Sequence, residues 1–402
     1  MLGYSRLDKL RRYRSLREWS MNRRIMRLFK VVFLFSAFGA GAWAQDLGNI
    51  QIHGFATQGF LFSSNNNYLT MDSSKGSLQW TEGAISLSDP LTDNLRVGIQ
   101  LHMFQMGQLG GPEIVVDWAS GDYKFNDRLG FRAGKVKIPI GLFNDSQDVD
   151  SLFLWILLPQ SVYPIDNRDF NLSVLGGEMY GGMSLGKRGG LLQYRGYLGE
   201  NRLSANGGYV EQLEEVGLTF PTPPSGKAFG GDVRWLTPLP GLMVGSSAYN
   251  SALDGTGPQG SFHSPSALSP AYYAQWRRGK LQLAGEYRRS AYTFVFTVGT
   301  TAIPFPLDAR SWYPMVSYQA TRKLQVGSYY SYSVNKAGDS SQTINYSKDW
   351  VVSGRYDFNN YFYGKLETHF LHGTGIGYYA IDNPNGLKPD SRMLAARIGF
   401  AF

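Results

Sequence analysis

Sixteen stretches of this chain alternate apolar with polar or small residues at a period of two, and that pattern admits few folds. In a strand, successive side chains point to opposite faces, so strict alternation gives one apolar face and one polar face. The last twelve residues are the clearest case. Leu394, Ala396, Ile398, Phe400 and Phe402 share one parity; Ala395, Arg397, Gly399 and Ala401 share the other. Leu95, Val97, Ile99, Leu101 and Met103 alternate with Arg96, Gly98, Gln100 and His102 in the same way. After residue 44 the longest apolar run is Leu152–Leu158, far short of the roughly 20 residues a membrane helix requires. The mean hydropathy of −0.25 agrees.

The alternation predicts strands over 50–62, 77–88, 95–107, 113–124, 128–139, 174–185, 190–199, 226–236, 241–251, 269–277, 280–291, 311–320, 323–334, 347–357, 361–371 and 391–402. The eighth competes with 208–219 for the same place. Connections alternate between short turns, such as 125–127, 186–189 and 359–360, and the long segments 63–76, 140–173, 200–225, 252–268, 292–310, 335–346 and 372–390. A soluble β-sandwich also alternates, but gives no reason for the long loops to gather on one rim. A closed antiparallel transmembrane β-barrel of 16 strands does, with its apolar face toward lipid and its polar face toward a wet lumen. Tyr329, Tyr330, Trp350, Tyr361 and Tyr363 are assigned to the aromatic girdles. The 48 glycines and 25 tyrosines in 402 residues suit such a barrel, glycine being well above its average of about 7%.

The N-terminus reads as an export leader. Arg23, Arg24, Arg27 and Lys30 precede the apolar run 31–42, and Ala42-Trp43-Ala44 places small residues where a signal peptidase cuts. Residues 1–44 are therefore taken as a leader with Met21 as the start, and 45–402 as one barrel. The formal charge of +8 and pI near 9.3 belong to that leader, which holds ten of the 39 basic and two of the 31 acidic residues, leaving 29 of each sign. A neutral mature chain gives no electrostatic footprint for nucleic acid. The absence of cysteine removes disulfides, thiol catalysis and Cys-based metal sites.

Residues 115–142, with Gly134, Lys135, Lys137, Pro139, Gly141 and Leu142 at the strand end, resemble the hairpin that precedes the constriction loop in Gram-negative outer-membrane porins related to the phosphate-selective porins. Tyr356-Asp-Phe-Asn-Asn360 and the terminal Phe402 fit that resemblance, Phe402 as the signal read by the barrel assembly machinery. The family members carry a ladder of arginines and a lysine cluster in the pore, where this chain has scattered basic residues. The resemblance implies a water-filled channel in the outer membrane, contacting outer-membrane lipids and passing small hydrophilic solutes and ions, anions such as phosphate among them. It also implies that the third external loop, 140–173, folds inward. A homotrimer and a monomer are both compatible with the sequence. A non-conducting barrel serving as adhesin or scaffold is the alternative.

On this reading the loop edges carry Asp145, Asp148, Asp150, Asp166, Arg168 and Asp169, which line the narrowest point with mostly negative charge, and Asp145, Asp148 and Asp166 oppose a basic wall that includes Arg96, Arg132, Lys135, Lys137, Arg195 and Arg355. Lys135 and Lys137 share the parity of outward residues, so a bulge near Gly134 is needed to turn them inward. No catalytic constellation accompanies them. His102 has no convincing serine partner, and His369 and His372 fall on different faces, so neither an enzyme, a metal site nor a cofactor is expected.

Overall fold

The computed structural model describes residues 49–215 and 218–402; the leader and Met21 lie outside them. The strands are β1 (Gln51–Ser63), β2 (Ser77–Pro90), β3 (Leu95–Met106), β4 (Leu109–Asn126), β5 (Leu129–Lys137), β6 (Ser173–Ser184), β7 (Leu191–Arg202), β8 (Ser225–Leu236), β9 (Leu242–Ser251), β10 (Leu253–Gly257), β11 (Gly260–Ser264), β12 (Leu268–Arg278), β13 (Leu281–Val298), β14 (Thr301–Gln319), β15 (Leu324–Asn335), β16 (Tyr346–Asp357), β17 (Phe362–His372) and β18 (Asp390–Ala401). Two helices, α1 (Arg168–Leu172) and α2 (Gly208–Glu215), lie in the β5–β6 and β7–β8 connections.

Each of β1 to β9 pairs with the next, β9 pairs with β12, and β12 to β18 continue in sequence. β18 then pairs back onto β1 from Phe55↔Ala401 to Ser63↔Met393. The result is a closed antiparallel ring of 16 strands. β10 and β11 stand outside the ring as a hairpin, touching β8 at Asp254↔Ser225 and β13 at 261–263.

The two faces follow the predicted parities. Leu366 (56% exposed), Trp350 (60%) and Ile398 (55%) point outward, whereas Glu367, His369, Ala395 and Arg397 on the intervening positions are buried. Two girdle assignments need correction. Tyr329 and Tyr363 are buried on the inner parity, and only their neighbours Tyr330 and Tyr361 reach the outer side. The predicted loop 292–310 is instead a continuation of β13 and β14, joined by a two-residue turn at Gly299-Thr300. The alternative 208–219 for the eighth strand is helical over α2.

The β13–β14 extension outruns β15, whose pairing with β14 begins at Ala309↔Asn335. Residues 301–307 are thus an open edge. Asp308 uses its N–H and C=O on that side, toward Asn335 Oδ1 (3.0 Å) and Lys336 N (2.8 Å). Every second residue shares its direction, so Pro306 and Pro304 stand where an edge N–H would otherwise be offered. Proline there blunts strand addition.

Inside the ring, the 138–172 connection packs on inward-facing side chains of β13 to β18. Leu154, Trp155, Val162 and Tyr163 join Tyr313, Met315, Tyr329 and Val351 in one apolar cluster. Ile156 and Leu157 join Leu61, Trp80, Tyr68 and Tyr378 in a second. Gly327 permits this approach: a Cβ there would fall 2.7 Å from both Leu154 and Trp155. Leu152, at the start of the run, stays exposed.

The lipid-facing assignment of Leu366 has a measurable consequence. Leu366→Arg near the middle of β17 is expected to cost roughly 2–4 kcal/mol of folding stability in bilayers, the range for a cationic residue at midplane. Denaturant titration in lipid vesicles checks this, and an unchanged midpoint would place that face in water.

Candidate functional site

Closing an apolar-outside ring sends the charged side chains of the strands inward, and they meet the 138–172 connection there. Asp150 sits at the centre of one cluster. Its carboxylate contacts Lys365 Nζ (2.9 Å) and Arg397 Nη1 (2.6 Å) and accepts a bond from Tyr363 Oη (2.7 Å). Arg397 also reaches Glu82 (3.3 Å) and lies over the Trp80 ring. Lys365 Nζ donates to the carbonyls of Asp150 and Trp155 as well. Arg355 donates to the carbonyls of Ser151 and Phe153, and its guanidinium lies 4.4 Å from the Tyr363 ring centroid.

Three further wall side chains, Glu367, Glu286 and Tyr329, hold more of the connection. Glu367 accepts the Ile156 and Leu157 N–H groups at 3.0 and 2.9 Å, and its other partner, His369, bonds Asp349 at 2.8 Å. Tyr163 Oη donates to Glu286 at 2.6 Å, and Tyr329 Oη donates to the Leu157 carbonyl at 2.9 Å. Through these contacts residues 150–163 lean on side chains of β13, β15, β17 and β18.

Along β2 to β5 and β7 the wall keeps an open cavity of about 470 Å³, lined by residues that include Arg96, Trp118, Asp122, Arg132, Lys135, Lys137, Arg195 and, from the connection itself, Asp145. Six of the ten predicted site residues thus share one cavity. Arg132 bridges Asp122 (2.7 Å) and Glu178 (2.8 Å). Arg195 pairs with Glu178 and with Asp145 (2.6 Å), and Asp145 also meets Arg234 at 3.3 Å. Lys137 holds Asp148 at 2.7 Å and the Asp145 carbonyl at 2.8 Å, above the Trp118 ring. Among the described residues Arg96 and Lys135 have no carboxylate within 4 Å; Lys135 Nζ donates to the Val116 carbonyl at 2.6 Å.

The predicted bulge at Gly134 is replaced by two other features. Pairing of β5 runs unbroken through Gly134, which takes φ +127°, a value that favours glycine. The register shift lies next door in β4, where Gln100↔Trp118 is followed by Leu101↔Val116 and Asp117 is left over. Asp117 is buried and pairs with Arg168.

Asp166 does not face Arg132, Lys135 and Lys137 as expected, and Arg168 does not line the cavity. Asp166 is buried against Tyr379 and Gln212, both at 3.0 Å, and Arg168 is committed to Asp117, with His102 at 3.4 Å. The sequence reading also missed Glu178, fully buried between two arginines, although its inward parity beside Met179 and its register opposite Arg132 mark it. Asp122, Asp232 and Arg234 were missed too. His102 bonds Glu82 at 3.1 Å, and among the described residues no group of three or more His, Cys, Asp or Glu is placed to hold a metal.

No protein-family model matches the chain, and no curated protein sequence does. Solved structures do. OmpF of Salmonella typhi in complex with daunomycin matches with a TM-score of 0.57 at 15% identity, over 89% of this chain and 99% of that one. The outer-membrane channel DcaP of Acinetobacter baumannii matches at 0.54 and 8% identity, over 90% and 100%. The trimer form of OmpT, an outer membrane protein of Vibrio cholerae, matches at 0.51 and 10% identity, over 88% and 99%. The fold is that of Gram-negative outer-membrane barrels.

The buried clusters differ in how far each carboxylate is replaceable. Asp150→Ala leaves Lys365 and Arg397 facing each other with Glu82 as the remaining partner, and is expected to destabilise by about 3–5 kcal/mol. Asp145→Ala leaves Arg195 on Glu178 and Arg234 on Asp232, so about 1 kcal/mol or less is expected. Urea midpoints of the two variants, compared side by side, test that ranking.

Proposed function

We propose that this chain is an outer-membrane porin, a water-filled channel for passive diffusion of small hydrophilic solutes and ions in a Gram-negative bacterium. In this reading residues 1–44, starting at Met21, direct export and are removed. The strand ending in Phe402 engages the barrel assembly machinery, and the third external loop narrows the lumen. The observation that carries the proposal is the charged cavity between the loop residue Asp145 and the inner faces of β2 to β5 and β7.

Selectivity tilts toward anions. Arg132, Lys137 and Arg195 are already neutralised by Asp122, Asp148, Glu178 and Asp145, so their field is largely spent within the wall. Arg96 and Lys135 leave two positive charges facing the cavity. A unit charge about 4 Å away in a water-like dielectric is worth about 1 kcal/mol, roughly a fivefold preference. That supports a weak preference for anions, phosphate included, and no more. The trimer form of OmpT supports a homotrimer as the assembled state.

A non-conducting barrel acting as adhesin or scaffold is the second reading, favoured by the two apolar clusters that the loop builds inside the ring. Planar-bilayer recording separates the two. Stepwise ohmic conductance is expected; a correctly folded barrel that stays silent overturns the channel. In a salt gradient, Arg96→Glu with Lys135→Glu is expected to move the reversal potential toward cations. Lys137→Glu is expected to disturb the loop through Asp148 and alter conductance more than selectivity.

A further inference from the structure

The rim of long connections is organised as two apolar caps. One gathers Tyr68, Leu69 and Met71 of the β1–β2 connection with Tyr378 and Tyr379 of the β17–β18 connection. The other gathers Leu203, Tyr209, Val210, Leu213, Leu218 and Phe220 of the β7–β8 connection with Leu253 and Phe262 of the β10–β11 hairpin. The returning limb of the β5–β6 connection touches both. Asp166 Oδ2 accepts a bond from Tyr379 Oη of the first cap and from Gln212 Nε2 of the second, each at 3.0 Å. Three residues on, Asp169 Oδ2 accepts the Ser204 N–H at 3.0 Å.

The β7–β8 backbone lies directly on the Asp169 carboxylate and on the backbone and Cβ of Asp166. A Cβ on Gly207 would fall 2.0 Å from Asp169 Oδ2, and one on Gly208 would fall 2.7 Å from the Asp166 Cβ. The second oxygen of each carboxylate is buried with no hydrogen-bond partner among the described residues. Among the described residues no cation lies within ion-pair distance of either group. Arg168, between them, is turned to Asp117.

We propose that Asp166 and Asp169 form an acid-tightened clasp: protonated, they hold the two caps together across the β5–β6 connection, and ionised, they let them part. Asp166 faces only neutral partners, and the two cations near Asp169 stand outside ion-pair distance and offset its burial only in part. Asp166 sees Tyr379, Tyr68 from the β1–β2 connection and the neutral Gln212. Asp169 sees Tyr209 from α2, Lys135 from β5 and its own neighbour Arg168. α2 also carries Glu211 and Glu214, both half-buried.

Burial raises the Asp166 carboxyl above its ordinary range and pushes Asp169 up to about 6; the hydrogen bonds and Arg168 oppose that shift without cancelling it. A carboxyl raised on closure favours the closed form fully below the pKa it has when released, about 3.9, and loses that contribution as pH rises through about 6. The two-unit displacement of Asp169 alone corresponds to roughly a hundredfold change in the clasp equilibrium.

Hydrogen exchange of the full-length, detergent-folded protein, corrected for intrinsic rates, reads the clasp without needing conduction. Protection of residues 203–214 and 377–382 is expected to be higher at pH 5 than at pH 8. Asp166→Asn with Asp169→Asn should keep both segments protected at either pH. Should that pair fail to fold, Asp169→Asn alone should shrink the difference. Equal protection at both pH values in the unmodified protein, or a difference that survives in the variants, overturns the clasp. The electrical consequence rests on the channel reading. Open probability is expected to fall at pH 5 with a midpoint near 6, and a pH-independent open probability counts against the clasp. A barrel silent at every pH overturns the channel reading, and the exchange data then decide the clasp by themselves.

Discussion

Closure of β18 onto β1 is the constraint from which the rest follows. In hydrocarbon every backbone N–H and C=O must find a partner within the protein. A sheet with a free edge would leave a full row unpaired. Here the ladder runs from Phe55↔Ala401 to Ser63↔Met393 and is finished by two bonds between Gly54 and Phe402, at 3.0 and 3.1 Å. Once the ring is shut, parity becomes binding on every strand, because a slip of one residue would exchange the whole lipid face for the lumen face. Edges survive only beyond the ring, and there Pro304 and Pro306 occupy the exposed positions.

Parity also explains why the interior is so heavily charged. Polar side chains excluded from the lipid face have one place to go, and burial of an unpaired charge is costly, so cations and carboxylates from different strands converge. Glu178 between Arg132 and Arg195, and Asp150 among Lys365, Arg397 and Tyr363, are the outcome. The β5–β6 connection exploits the same surplus. Its backbone carbonyls and amides are taken up by Arg355, Lys365 and Glu367, which satisfies groups that an irregular segment cannot pair for itself.

Much of this was legible in the sequence because alternation is a local property. All sixteen ring strands, the outward set Leu394, Ile398 and Phe402, and the inward set Arg195, Arg355 and Arg397 need only a count of two along the chain. Tyr329 and Tyr363 were misread because aromatic type was weighed above parity; counted from Val326 and Leu366, both fall inward. What needed more than one strand was not legible. Lys137 meets Asp148 while Lys135 Nζ meets only the Val116 carbonyl of the neighbouring strand, a difference that parity along β5 does not predict. Asp166 could not be placed without knowing that α2 and Tyr379 come to meet it from connections some 45 and 210 residues away.

The inner wall is therefore divided by what its charges are for. Where residues 150–163 pack on β13 to β18, each charged group completes another's hydrogen bonding, and changing it disturbs packing before it disturbs any field. Among the described residues Arg96 and Lys135, in the cavity, complete no ion pair, so under the proposed channel reading their charge is available to whatever enters. Under the proposed channel reading, stability and selectivity would then reside in different residues of the same ring. Such a separation lets the two cavity cations vary with little consequence for folding, whereas Glu178, whose charge balances Arg132 and Arg195 behind the cavity, belongs to both sets at once.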